Sequence, residues 1–190
     1  MRNDGRPRIL IAAPETTGGI GKHVQTLAAG LVSRGHAVSV CAPRSTLERL
    51  NLSPDSRSAD LEAIDLPLGQ LSAWRYRRRM KALAGEHDVI HAHGVRVGAQ
   101  FALVRAASLV VTWHNAPLGS SARRVVHAGL ERVCAHRAAV VIGASADLVA
   151  RAREAGARNT RLVAVAAPSV AAVRVSTEKL PSAETATSST

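Results

Sequence analysis

Apolar residues fall in short unbroken runs along this chain, each followed by a breaker and then by a stretch of helical period. Arg8-Ile-Leu-Ile-Ala-Ala-Pro14 is the first run. After a glycine-rich turn, Val24, Leu27, Ala28 and Leu31 recur at the spacing that gathers them on one helix face, closed by Gly35. The alternation repeats. Further strands are predicted at 37–43, 60–67, 88–94, 108–115, 139–144 and 161–167. Helices are predicted at 71–84, ended by Gly85, at 97–107, at 120–137, and from the cap Ser145 to Ala155, stopped by Gly156. The strands are apolar throughout instead of alternating, a pattern that requires cover on both faces. The expected fold is α/β: a doubly wound, mainly parallel Rossmann-like sheet of about seven strands with helices on both faces. Residues 1–7 read as a flexible N-terminus and 8–168 as the domain. Residues 169–190, small and polar without period, read as a disordered tail or truncated hinge.

Composition narrows this picture. The 190 residues allow one domain with a real core and no second large one. The longest apolar-leaning run, Leu162 to Val173, is about half of what a membrane crossing needs. Two cysteines, Cys41 and Cys134, are too few and too far apart for a disulfide framework or a zinc site, so a cytoplasmic chain with reduced thiols is expected. The net charge of +11 is concentrated. Residues 71–81 hold five cations and no acid, and 120–161 hold eight arginines against three acids. A nucleic-acid partner is not expected, because single-strand binders need stacking platforms and the four aromatics, Trp74, Tyr76, Phe101 and Trp113, do not form one.

Ligands of open parallel sheets bind beyond the carboxyl ends of the strands. The unusual residues cluster there: Glu15-Thr-Thr-Gly-Gly-Ile-Gly-Lys22 after strand one, His91-Ala-His-Gly94 with Arg96 after strand four, Thr112-Trp-His-Asn115 after strand five, and Gly143-Ala-Ser145 after strand six. Gly18, Gly19 and Gly21 give a backbone that a diphosphate can approach at a helix N-terminus. The dinucleotide fingerprint fails, since its third glycine falls on Val24. A phosphate-loop ATPase remains as an alternative, although the standard loop would need glycine at Thr16 and a hydroxyl at His23, and the partitioning-ATPase version a lysine at Thr17. A non-catalytic binding module is another. His91 and His93 share a strand face that suits a metal pair, but no third ligand accompanies them, so no metal is expected.

Pro14, Gly18-Gly-Ile-Gly-Lys-His-Val24, Ser33-Arg-Gly-His-Ala-Val38, Asp88-Val-Ile-His-Ala-His-Gly94 and Val110-Val-Thr-Trp-His-Asn115, in that order, resemble the N-terminal domain of family 4 glycosyltransferases. Ala138 to Val149 and Gly156 to Leu162 fit that family's last helix and strand. The resemblance implies half of a GT-B fold, whose active site lies between two Rossmann-like domains. It also implies transfer of a sugar from a nucleotide-sugar donor to an acceptor, a lipid or a small molecule, with anomeric configuration retained and no metal or other cofactor. By the same resemblance His114 is catalytic and Gly18, Gly19 and Gly21 bind the donor diphosphate. Glu15, Lys22, His93, Arg96 and Asn115 line the acceptor side. The Arg/Lys pair and Glu-x7-Glu stretch of the family's C-terminal domain do not occur in these residues, so the implied chain is an acceptor half that is inactive without a separate donor-binding domain.

On a helical wheel Tyr76, Met80, Leu83 and Ala84 gather on one side of the predicted helix 71–84. Trp74, Arg75, Arg77, Arg78, Arg79 and Lys81 take the other, an interfacial pattern expected to touch the anionic inner face of a membrane reversibly.

Overall fold

The computed structural model describes residues 5–16, 18–52, 60–70, 75–106, 108–115 and 120–163. Seven strands form one all-parallel sheet in the order β3-β2-β1-β4-β5-β6-β7. They are β1 (Ile9–Ala12), β2 (Val38–Ala42), β3 (Leu61–Asp65), β4 (Val89–His93), β5 (Leu109–Trp113), β6 (Val140–Gly143) and β7 (Thr160–Leu162). The helices are α1 (Gly19–Val32), α2 (Arg44–Arg49), α3 (Arg77–Glu86), α4 (Val95–Leu103), α5 (Ser121–Arg137) and α6 (Ala146–Glu154). The expected doubly wound sheet is therefore present. The flexible N-terminus expected at residues 1–4 and the tail expected from 169, with the end of the last strand, lie outside the described residues.

Each face of the sheet has its own core. On one, Ile9, Ile11, Val38 and Val40 pack with Val24 and Ala28 of α1 and Leu47 of α2. On the other, Leu10, Ile90, Leu109 and Val111 pack with Met80 of α3, Phe101 of α4, Cys134 of α5 and Ala152 of α6. The unbroken apolar runs are explained by this two-sided burial. On the α1 side of the far strands, Val110, Val140 and Ile142 are only half-buried.

Three sequence expectations change. Residues 44–49, to which the sequence pattern assigns no element, form a helix, α2, because Thr46, Leu47 and Leu50 can bury together against the α1 side. Gly85 does not end α3, which continues to Glu86. Termination falls instead on His87, whose backbone is extended and whose buried ring lies 2.8 Å from both the Leu83 carbonyl and Ser39 Oγ. Those two contacts hold the imidazole as a neutral donor–acceptor bridge between helix end and sheet, and burial keeps its pKa below the usual value. Finally, α4 starts at Val95, two residues early, because Gly94 adopts φ 86° and turns the chain directly into the helix.

Two close approaches set the helix positions over the far half of the sheet. A Cβ on Gly98 would lie 2.7 Å from Val111 Cγ1 and 2.9 Å from Cys134 Sγ. A Cβ on Gly143 would lie 2.7 Å from Val149 Cγ2 and 2.8 Å from the Val149 backbone nitrogen. The second clash is with backbone, which cannot rotate away. Gly143→Ala is therefore expected to destabilise the fold by about 1–3 kcal/mol, seen as a lower urea midpoint with unchanged slope. A midpoint equal to that of the unsubstituted chain would show that α6 is not packed this tightly.

Candidate functional site

β1 and β4 are hydrogen-bonded neighbours, and connections leave them in opposite directions along the sheet. This is the topological switch point where α/β sheets open a crevice at their carboxyl ends. A cavity of about 520 Å³ occupies that place, bordered by Glu15, Arg96, Asn115, His114 and, at its floor, His93. Five residues expected at the site from sequence are thus brought together. Gly18 takes φ 79° as the residue before α1, and for neither it nor Gly19 does any atom of the described residues beyond the local backbone lie within 4 Å of where a Cβ would stand. Gly21 is different: it is buried, and a Cβ there would approach Leu50 Cδ2 to 3.3 Å, so its smallness serves the packing of α1 on α2. Lys22 points outside the cavity border and bonds to Gln25 Oε1 at 3.1 Å. Glu15 is held by Ser45 Oγ at 3.2 Å and faces Arg49 at 3.9 Å.

The parallel register β4–β5 aligns His91 with Val110 and His93 with Thr112, placing His91, His93 and His114 along one side of the sheet. Their rings form a column. His91 and His93 have centroids 4.6 Å apart, His93 and His114 5.3 Å, both pairs near-parallel. His93 Nδ1 lies 3.0 Å from His114 Nε2, and His91 Nε2 lies 2.8 Å from Thr112 Oγ1. His23, from the second turn of α1, stands edge-on to His93 and His114 at 5.5 and 6.1 Å. Burial lowers the pKa of all four rings, with the mutual repulsion of their charged forms adding to it for His91, His93 and His114. His91 and His114 are each pushed down to about 4. The column is therefore neutral at pH 7, and one N–H is shared between His93 and His114. When His93 donates, His114 keeps a proton on Nδ1 and presents a donor; when His114 donates, its Nδ1 is an acceptor. His93 itself is 0% exposed, and its Nε2 has no partner among the described residues, so His114 is the member of this pair that faces the cavity.

Several residues of the column and of the cavity do not stand out in the sequence. His23 is legible as part of the Gly-rich motif, but only the register of β4 shows that α1 lays it on the column. Gln70, Arg123 and His127 border the cavity, which His23 does not. Gln70 is placed by a turn that Gln100 fastens, accepting from the Gly69 N–H at 3.0 Å and donating to the Gln70 carbonyl at 2.9 Å. His127 sits one turn before Glu131 on α5, with Nδ1 3.2 Å from Oε1. Glu131, 4% exposed, is held by a bidentate pair to Arg151 of α6 at 2.6 and 3.0 Å. The helical spacing of His127 and Glu131 is a signal available in sequence; the half-buried partner from α6 is not. Among the described residues no group of three or more His, Cys, Asp or Glu is placed to hold a metal ion.

Helix α3 divides as the wheel expects. Met80, Leu83 and Ala84 are buried and Tyr76 half-buried, while Arg75, Arg77, Arg78, Arg79 and Lys81 are exposed, with Arg75 5.9 Å from the Tyr76 ring centroid. Trp74 lies outside the described residues. No helix of the described residues is long and apolar enough to cross a membrane. Cys41 and Cys134 are free and buried, and burial raises both thiol pKa values.

The neutral column has a consequence for stability. An unfolded histidine binds its proton near pH 6.5, whereas His91 and His114 bind theirs near about 4. Between these values the unfolded chain carries more protons than the folded one, so stability falls as the pH drops through that window. Thermal unfolding followed from neutral pH down to about 4 is expected to show a falling midpoint, and His91→Gln a shallower fall. An identical slope in that variant would show that His91 is not the group responsible.

A family model described as a glycosyl transferase 4-like domain matches residues 18–168. Among solved structures, sucrose-phosphate synthase of Thermosynechococcus elongatus superposes with a TM-score of 0.58 at 18% identity, over 83% of this chain and 87% of that one. Anabaena HepE in complex with UDP superposes with a TM-score of 0.58 at 18% identity, over 82% of this chain and 43% of that one. A putative UDP-N-acetylglucosamine 2-epimerase from Listeria monocytogenes gives 0.51 at 13% identity, over 83% and 44%. The chain thus spans less than half the length of the last two. At such identities the likeness is one of fold, and the same fold carries different chemistry. In sequence the chain matches no curated protein. None of these matches supports the phosphate-loop ATPase alternative. With the family model matched over most of its length and the all-parallel sheet of these neighbours, the chain belongs to the glycosyl transferase 4-like family, with the fold of the N-terminal half of a GT-B protein.

Proposed function

We propose that this domain forms the acceptor-side wall of a glycosyltransferase site, where a sugar passes from a nucleotide-sugar donor to an acceptor beside His114. The observation that carries this reading is a neutral, half-buried imidazole at the edge of a switch-point cavity, beside the open N-terminus of α1. The bare backbone at Gly18 and Gly19 suits a diphosphate, since helix N-terminal N–H groups favour anions. Gly21 supports that turn by packing. HepE structures are described in complex with UDP and with UDP-glucose, which favours a uridine nucleotide sugar as donor.

In this reading His114 holds the acceptor hydroxyl through Nδ1, in the tautomer that the shared proton with His93 selects. Glu15, Arg96 and Asn115 surround the acceptor, and Lys22 adds positive charge near the start of α1. No metal takes part. The remaining donor contacts come from a second domain, because the chain spans only 43% of HepE. One wall alone binds weakly and does not turn over.

Amide spectra of the purified chain titrated with UDP-glucose are expected to shift at Gly18, Gly19 and His114 with a millimolar dissociation constant, about −4 kcal/mol. Equal shifts with ATP and magnesium would favour a nucleotidase and overturn the reading. Steady sugar transfer by the isolated chain would overturn the half-site part.

The exposed cations of α3 extend the proposal to reversible contact with an anionic membrane surface. Flotation with vesicles containing anionic lipid is expected to carry the chain, and neutral vesicles to leave it behind. The triple variant Arg77→Glu, Arg78→Glu, Arg79→Glu is expected to abolish that difference. Equal binding of the unsubstituted chain to both vesicle types would reject the contact.

A further inference from the structure

Beside the close contact at Gly98, α4 and α5 leave a second cavity of about 660 Å³ that opens off the first. Ala99 and Leu103 line it from α4, at the helical spacing that keeps them on one face, and Val126 and Leu130 line it from α5. Leu103 is 52% exposed and Val126 62%, so two large apolar side chains converge on a groove that the described residues leave open. Isolated exposed apolar residues are ordinary, but a continuous apolar groove marks a binding surface.

The groove also has a charged end. Arg96 and Arg123 border both cavities, so they stand where the apolar groove meets the crevice of His114. None of the described residues bordering the groove is acidic. The nearby carboxylate, Glu131, is already taken up by Arg151. Leu103 lies two turns of α4, about 10 Å, beyond Arg96, which gives the groove the length of a hydrocarbon chain. A molecule lying across both cavities would have an apolar tail along α4 and α5, an anionic group between two guanidinium ions, and its far end beside His114.

We propose that the groove between α4 and α5 holds the single hydrocarbon chain of a phosphate-bearing acceptor, with Arg96 and Arg123 on the phosphate. The acceptor class is thus a single-chain alkyl or prenyl phosphate ester taken up as a monomer, whose phosphate carries a further hydroxylated group, and the hydroxyl of that group, beside His114, receives the sugar as the nucleoside diphosphate leaves. This rests on reading the crevice as the acceptor side, and it adds a site and a chemical class to that reading.

Calorimetric titration of the purified chain with butyl, hexyl and dodecyl phosphate below micellar concentration tests it, with inorganic phosphate and hexanol as controls. Affinity is expected to rise with chain length by up to about fourfold per buried methylene. Inorganic phosphate and hexanol are each expected to bind far more weakly than hexyl phosphate. Val126→Glu and Leu103→Glu, both at exposed positions that leave the core intact, are expected to weaken dodecyl phosphate by about tenfold or more. Arg96→Ala with Arg123→Ala is expected to remove the preference of hexyl phosphate over hexanol. Affinity independent of chain length, or unaffected by both glutamate variants, overturns the proposal. So does a sedimenting dimer that Val126→Glu dissociates while dodecyl phosphate fails to bind, since a second copy would then fill the groove. The UDP-glucose titration separates the two readings. Chain-length-dependent binding without nucleotide shifts sustains the groove and removes the donor, and nucleotide shifts without such binding do the reverse.

Discussion

The site depends on the ladder between β1 and β4. Ile9 pairs with Val89 and Ala12 with Ala92, although the whole α1–β2–α2–β3–α3 excursion separates them in the chain. Parallel strands require a crossover, and crossovers that keep one hand place helices on opposite faces once the direction along the sheet reverses. Reversal at β1 and β4 therefore puts α1 on one face and α4 on the other, and the carboxyl ends between them cannot be covered by either connection. The cavity is a consequence of topology before any side chain is considered, and the side chains at these strand ends determine what it can bind.

Over the far half of the sheet, position is set by removal of atoms as much as by attraction. Gly98 brings α4 onto β5 and α5, where Cys134 Sγ donates to the Val95 carbonyl at 3.0 Å. Gly143 does the same for α6. The pair of buried Glu131 with half-buried Arg151 then ties α5 to α6 and holds Glu131 beside His127. A buried carboxylate with one partner removed is costly, so this pair fixes geometry more than it adds net stability. Because the tight contact of α4 with α5 is local, the two helices leave the apolar groove beside it, with its arginine pair at the crevice end.

The histidine column shows how a buried surface becomes chemically useful. Desolvation keeps four imidazoles neutral where water would leave them partly charged near pH 6.5. Neutral rings can stack closely and share a proton, which charged rings could not. The cost is stability at acidic pH, and the gain is a poised donor–acceptor at the cavity edge. Such a column needs three strands or helices to deliver their rings to one place, and the parallel register of β4 and β5 with the second turn of α1 does so.

Sequence alone determined the strands, every helix but α2, the parallel sheet and the carboxyl-end location of the candidate site, because two-sided burial imposes unbroken apolar runs and glycine marks the turns. It also singled out His114, Glu15, Arg96 and Asn115, which border one cavity. Only tertiary structure decided the rest. Gly21 and Gly18 look alike in sequence, yet one packs on Leu50 and the other is open, because exposure depends on what α2 brings near. His93 is 0% exposed beneath His114, and Gly85 is passed over because His87 offers α3 a better end. His23, Arg123 and His127 reach the site through contacts between elements distant in the chain. Local pattern records whether a residue is buried on average, whereas which residues share a cavity is fixed by packing between elements.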